Sequence, residues 1–341
     1  MNLSSAVKQY ISTKYDQHPD MFASDLEAVD DLREDAIHVQ EPHESGIKKL
    51  AQYAAQLQWM GGKFPIDVCG GTVFPEGGEK KKIADSLTGF PQIGADFTWC
   101  PALGYNTTKT ITQNNLQFER ANVIYNLASL YSQLATGASR NNAQGLKAAC
   151  NYYCASAGVL KYLKEDVIPE LRSTPPEDMD AVTLECSQQL MLAQAQECFW
   201  LKAVVDGNKD SVVARLAASV ADYYDTATEA GTKSDSITSE WIHHMNAKHH
   251  HFAAAAQFRA SMDCLERSKY GEEVARLKDS LDAVNDALKE ARYINKQVLG
   301  DLIALKEKVS EMLKGAERDN DLIYLGGSIL GGGGGFHIKV F

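Results

Sequence analysis

The sequence predicts a predominantly α-helical protein built of helical hairpins, and three observations support this fold class. Apolar residues recur every three or four positions through most of the chain, and polar turns separate the recurrent segments. The last third of the chain carries the longest regular pattern. The composition, 44% hydrophobic and 23% charged, is that of a globular protein.

The first part of the chain predicts three helices followed by a loop region. Apolar spacing indicates one helix around Val7 to Ile11, a second from Leu26 to Ile37, and a third that ends near Gly61. The stretch from Lys63 to Thr112 is rich in proline and glycine and lacks a sustained helical pattern. We therefore expect loops there, with short strands.

Helical hairpins with the spacing of tetratricopeptide repeats follow. The first runs from Leu116 to Leu160 and reverses across the polar turn TGASRNNAQG. The second pairs Val182–Val205 with Val212–Tyr224 around the turn DGNKD. A further helix is expected to end or bend at Gly271, and two long coiled-coil-like helices should follow, with a hinge at Gly300.

Charge and motifs exclude several classes of function. The formal net charge of −11 disfavours a nucleic-acid-binding protein. The seven cysteines are an odd number without a framework pattern, and the N-terminus lacks a signal-peptide pattern, so we expect a reduced cytoplasmic protein. The motifs GxxxxGK[ST], GxSxG and HExxH do not occur. The sequence therefore predicts no enzyme and no cofactor.

Two clusters of potential metal ligands are better explained by ordinary packing. The histidines His243, His244 and His249–His251 lack the close pair spacing of ligands, and consecutive ones point to different helix faces. Cys150 and Cys154 share a helix face without a second ligand pair, so they are predicted to be small core residues. We expect no metal site.

The helix around LMLAQAQECFWLKAVV is apolar on more than one face, so part of its surface needs a second partner. Phe199 and Val212 are expected at similar heights in the hairpin, with Leu216 one turn beyond Val212. The three residues could form one exposed patch or belong to an ordinary core. Periodicity alone favours the core.

Seven ordered blocks resemble the Bro domain of ALIX/PalA-type proteins. They are EPHESGIKKLAQYAAQL, GGKFPIDV, FTWCPALGYNT, NLQFERANVIYNLASLYSQLA, LMLAQAQECFWLKA, AKHHHFAAAAQF and KYGEEVARL. The resemblance implies a curved α-solenoid with a small sheet, and a groove that binds the C-terminal amphipathic helix of the ESCRT-III core subunit. Phe199, Val212 and Leu216 match the groove residues of the family. An acidic residue of the same contact is replaced by Ala143.

The resemblance covers residues 1–325 and has three departures. The usual N-terminal segment and the C-terminal closure of the domain are not matched, so the sheet is expected to be incomplete. Residues 69–94 interrupt two blocks that the family joins closely, and their composition predicts an inserted surface loop. Residues 326–341 form a glycine-rich tail. The domain that reads YPxL-type motifs is not matched, so partners of that kind are not expected.

The leading hypothesis is a non-enzymatic scaffold of PalA-type ambient-pH signalling and endosomal sorting. It predicts a cytoplasmic protein that is recruited to endosomes and associates peripherally with the membrane through ESCRT-III. The alternative is a general tetratricopeptide-like interaction or co-chaperone scaffold. The hairpins lack the repeated basic residues that such domains use to hold acidic C-termini, which argues against the alternative.

Overall fold

Residues 3–38, 41–64, 66 and 94–321 are described in a computed structural model, and they are mostly helical, as the sequence predicts. The chain divides into two compact units. The first takes residues 1–134 and 155–184, and the second takes residues 135–154 and 185–341. The expected insertion 69–94, apart from Gly94, and the expected tail 326–341 lie outside the described residues.

The first unit begins with three helices, which confirms the prediction for this region: α1 (Leu3–Tyr15), α2 (Ala23–Ile37) and α3 (Glu44–Gly61). The His43 ring nitrogen accepts a hydrogen bond from the Ser45 amide and caps α3. The expected small sheet consists of two antiparallel strands, β1 (Phe97–Trp99) and β2 (Ile111–Gln113).

The predicted hairpin helices are present with nearly the expected bounds: α4 (Leu116–Gly137), α5 (Ala143–Tyr162), α6 (Ala181–Val205) and α7 (Asp210–Gly231). Side chains cap two of them. The Asn142 side chain accepts from the Gly145 amide at the start of α5, at 2.7 Å. Asp180 accepts from the Thr183 amide at the start of α6, also at 2.7 Å.

A buried carboxylate ties the first unit together. Glu119, on α4, is fully buried. Its Oε1 accepts hydrogen bonds from Arg33 Nε at 2.8 Å and from Tyr53 Oη at 3.0 Å. Its Oε2 accepts from Trp99 Nε1 at 2.6 Å. Because a buried charge is stable only when it is paired and hydrogen-bonded, these contacts fix α2, α3 and β1 against α4.

The remaining helices of the second unit are α8 (Ser239–Glu266), α9 (Tyr270–Lys289) and α10 (Lys296–Asp319). Two apolar clusters join them. The first contains Ala247, Ala254, Val284, Ala287 and Leu302, and the second contains Phe258, Val274, Leu277 and Val309. The small alanine side chains of α8 allow its neighbours to pack closely.

Two expectations about glycines are wrong. Gly271 lies in the first turn of α9, and α8 ends before it at Glu266. Ser268, with φ of +57°, takes the left-handed position after α8. Gly300 lies inside α10, and the chain turns earlier, before Asn295, whose side chain accepts from the Val298 amide and caps α10. A lone glycine costs a helix only about 1 kcal/mol, so packing and a good cap outweigh it.

Candidate functional site

The hairpin of α6 and α7 carries the predicted binding residues, and a glycine turn sets its geometry. Gly207 has φ of +69°. Its amide bonds to the Val204 carbonyl at 3.1 Å, and the Asn208 amide bonds to the Ala203 carbonyl at 3.0 Å. This pair of bonds is the Schellman motif, which ends α6 and reverses the chain into α7.

Phe199 is 50% exposed, whereas the preceding Cys198 is 3% exposed. Val212 and Leu216 are half-buried, and the residues that follow them, Val213 and Ala217, are buried. The core-facing positions of the hairpin are therefore the neighbours of the three predicted residues. Phe199 therefore lies at the surface of the hairpin, and Val212 and Leu216 are partly covered.

The relative heights of the three residues differ from the expectation. Phe199 lies six residues before the end of α6 and Leu216 six residues after the start of α7. At 1.5 Å of rise per residue both are about 9 Å from the turn, so these two residues are level in an antiparallel hairpin. Val212 lies about one turn closer to the loop.

A half-buried stripe on α7 continues beyond the predicted residues. Ser219 and Tyr223 follow Leu216 along the helix, and both are half-buried, as Val212 and Leu216 are. The i, i+4, i+7, i+11 spacing places the four residues on one helix face. The small Ser219 separates the apolar pair Val212 and Leu216 from the ring of Tyr223. The spacing is present in the sequence, although the prediction stopped at Leu216.

Charged side chains border the apolar surface near the turn. Lys202, three residues after Phe199 on α6, forms an ion pair with Asp206, which directly follows the helix. Arg215 is exposed on α7 between Val212 and Leu216. Apolar anchors with a charged border are typical of surfaces that hold an amphipathic helix.

A polar network supports the hairpin, in which Tyr224 and Lys248 are buried and Glu197 is half-buried. Glu197, on α6, accepts hydrogen bonds from Tyr224 Oη on α7 at 2.9 Å and from Lys248 Nζ on α8 at 2.7 Å. Burial would raise the pKa of Glu197, but Lys248 and these hydrogen bonds outweigh it and lower the pKa. Phe252 stacks on Tyr224, with ring centroids 6.2 Å apart. The network joins three helices and keeps the exposed residues on a rigid base.

The α4–α5 turn contributes Arg140, whose guanidinium contacts the Cys198 thiol and Tyr153 Oη. Burial raises the pKa of Cys198 although Arg140 opposes the rise, so this thiol is not an activated nucleophile. Burial and the Cys154 thiol raise the pKa of Cys150 to about 11. Cys154 itself is exposed, so its prediction as a core residue is wrong.

The histidines of α8 take different structural roles. His243 Nδ1 lies 2.8 Å from a Glu290 carboxylate oxygen, and its ring stacks on Tyr293. The Nδ1 atom of His249 lies 3.0 Å from the Ala221 carbonyl oxygen. Burial and Lys248 lower the pKa of His251 to about 4. Within the described residues, no group of histidine, cysteine or acidic side chains has the arrangement of a metal site.

The structure is that of a helical domain whose antiparallel hairpin α6–α7 carries the exposed Phe199, and comparison with known proteins identifies its class. The chain belongs to the BRO1-like domain family, whose model matches residues 1–74 and 81–327. Among the described helices, none is long and apolar enough to cross a bilayer.

The chain is similar to fungal pH-response regulators. It is 57% identical over 325 residues to palA/RIM20 of Emericella nidulans and 56% identical over 328 residues to palA/prr-1 of Neurospora crassa. These alignments cover 95% of this chain but only 35% and 36% of the relatives. The chain thus spans about a third of their length.

Solved structures of Bro1 domains have the same fold. A complex of the ALIX BRO1 domain with CHMP4C matches with a TM-score of 0.78 and 27% identity, and the match covers 96% of this chain and 86% of that one. A Bro1 domain studied for endosomal targeting matches with a TM-score of 0.72 at 20% identity, which supports the fold alone. The predicted family and fold class are confirmed.

Proposed function

We propose that the chain is a non-enzymatic adaptor whose α6–α7 hairpin binds the C-terminal amphipathic helix of an ESCRT-III subunit. Phe199, Val212 and Leu216 would supply the apolar contacts. The observation that carries the proposal is the 50% exposure of Phe199 beside a Cys198 that is only 3% exposed. When a partner covers a large aromatic side chain in this position, the burial of its apolar surface stabilises the complex.

The kind of partner is taken from a structural neighbour. The similar ALIX BRO1 domain was solved in a complex with CHMP4C. The half-buried stripe from Val212 to Tyr223 extends over about three turns of α7, which matches the apolar face of a helix of similar length. Ala143, the exposed first residue of α5, offers no charge, so apolar contacts should carry more of the affinity here.

The cellular role follows from the same proposal. The full-length relatives are named pH-response regulators, and this chain spans about a third of them. We infer that it serves ambient-pH signalling as a scaffold, and that it reaches endosomal membranes peripherally by binding ESCRT-III.

The proposal is tested by a pull-down with the isolated C-terminal helix of an ESCRT-III subunit as bait. The wild-type chain should be retained, and Leu216→Asp should not, because a carboxylate would be buried against the helix. Ile303→Asp is the matched control, since Ile303 is 45% exposed on α10 and the substitution likewise replaces an aliphatic side chain by aspartate.

Circular dichroism of both variants completes the test. Leu216→Asp should keep the helical spectrum of the wild type, because a half-buried position can turn a charge toward water. If Leu216→Asp unfolds the chain, Leu216 is a core residue and the groove assignment fails. If the folded variant still binds, the contact lies elsewhere.

A further inference from the structure

An apolar depression lies in the first unit, between α2 and α3. It has a volume of about 470 Å³ and is lined by Asp25, Ala28, Val29, Leu32, Gln56 and Trp59. None of these residues belongs to the α6–α7 hairpin. The lining residues of α2 extend over eight residues, from Asp25 to Leu32, so the depression runs for about 10 Å along that helix.

Trp59 is the most exposed large apolar side chain of this surface. It is 60% exposed, whereas Leu57 and Met60 on the same helix are 1% and 2% exposed. The core of α3 is therefore complete without the indole. Tryptophan combines a large apolar surface with a hydrogen-bond donor, and it is strongly enriched among the residues that dominate binding energy.

The α2 side of the depression is acidic. Its sequence ASDLEAVDDLREDAI contains six acidic residues and one arginine, and that arginine, Arg33, is bound to the buried Glu119. Asp25 lines the depression, and Asp31 lies three residues after Ala28 on the adjoining face. Asp25 and Asp31 are exposed and form no salt bridge with another described residue.

The α3 side contributes no charge at this place. From Ala51 to Gly61 the helix has no acidic or basic residue, and Gln56 and Trp59 face the depression. Lys49 lies nearer the start of α3, and its Nζ atom is paired with an Asp35 carboxylate oxygen at 2.9 Å. An occupant would thus meet an apolar floor, an indole edge and a negative rim.

We propose that this α2–α3 depression binds a basic amphipathic segment of a partner protein. One or two apolar side chains of the segment would pack against Trp59 and Leu32, and its lysine or arginine side chains would pair with Asp25 and Asp31. About two helical turns of partner would fill the depression.

Charge argues against two other occupants. A second copy of this chain has a net charge of −11 and would bring the same acidic rim, so like charges would repel. The anionic surface of a cytoplasmic membrane leaflet would be repelled for the same reason. A positively charged segment is the chemistry that fits both the floor and the rim.

The test uses the full chain and a fluorescein-labelled helical peptide of about 18 residues, with leucines at i, i+3, i+4 and i+7 and lysines on the other face. Fluorescence anisotropy measures the dissociation constant. Trp59→Ser and Asp31→Lys should each weaken binding at least ~10-fold. A peptide with glutamate in place of every lysine should not bind.

Two control variants distinguish a built site from general attraction to an acidic protein. Asp282→Lys changes the charge by the same amount at an exposed position of α9, and Ile303→Ser removes an exposed apolar side chain of α10. Both should leave the dissociation constant unchanged. Leu216→Asp should also retain binding, because the inference does not depend on the proposed ESCRT-III contact.

Several outcomes would overturn the inference. If the wild-type chain does not bind the lysine peptide, the depression is not a binding site for a basic segment. An equal loss of affinity in Asp282→Lys means nonspecific charge attraction. Unchanged affinity in Trp59→Ser places the peptide elsewhere. Sedimentation that shows dimers in the wild type and monomers in Trp59→Ser assigns the depression to a second copy of the chain.

Discussion

Alanine substitutions at two glycines of the second unit should change stability in opposite directions. Gly207 has φ of +69°, and a Cβ atom there would meet no atom within 4 Å. A Cβ at Gly300 would also meet no atom within 4 Å, but Gly300 lies inside α10 without a positive φ. Because space is open at both positions, backbone conformation alone decides the sign.

The magnitudes follow from the conformations. Strain of an L-residue in the left-handed region destabilises the folded state by about 1 to 2 kcal/mol. The alanine variant also has a lower conformational entropy in its unfolded state, which offsets part of this loss of stability. Gly207→Ala should therefore lower the free energy of unfolding by about 1 kcal/mol. Gly300→Ala should raise it by about 1 kcal/mol, since alanine is the better helix former.

Urea unfolding followed by circular dichroism measures both variants against the wild type. The two should differ by about 2 kcal/mol, with similar slopes in urea. Ser268→Gly is a third member of the series: it should stabilise the chain by about 1 kcal/mol, because glycine accepts the φ of +57° without strain. A clear loss of stability in Gly300→Ala would refute the reasoning and would support the hinge that the sequence predicted.

Further predictions concern the core, the histidines and the insertion. Glu119→Ala leaves three donors without their acceptor and should cost about 3 to 5 kcal/mol in urea unfolding; a loss below about 1 kcal/mol would contradict the proposed role of the network. The pKa of His251 is lowered from 6.5 to about 4, so the unfolded state binds the proton first as the pH falls. Stability should therefore decline below pH 6.5, by up to about 3 kcal/mol at pH 4, and His251→Phe should reduce the decline measured in unfolding at several pH values. Elemental analysis after dialysis should find no zinc, and one retained equivalent that His249→Ala removes would show a site. Deletion of residues 69–94 should change stability by no more than about 1 to 2 kcal/mol and leave ESCRT-III helix binding intact; loss of cooperative melting would show an integral element.

Helix positions could be read from the sequence because their signals are local. The turn DGNKD contains the glycine of the Schellman motif, and Asp180 stands one residue before α6 as a cap. The predicted hinge at Gly300 is wrong because a glycine destabilises a helix without ending it. Packing decides the outcome, and packing is not a local property.

The polar networks could not be predicted, since their members are distant in sequence. Glu119 is 86 residues from Arg33 and 66 from Tyr53. No spacing rule connects such residues. The same limit applies to the site: Cys198 and Phe199 are adjacent apolar residues on a helix that is apolar on more than one face, and only the neighbouring helices determine which one is covered.

Calorimetric titration of the full chain with the C-terminal helix of an ESCRT-III subunit tests the central claim most directly. Relative to the wild type, Leu216→Asp should raise the dissociation constant at least ~30-fold, and Ile303→Asp should leave it unchanged. A Leu216→Asp chain that stays folded and binds the helix within about twofold of the wild type would contradict the account.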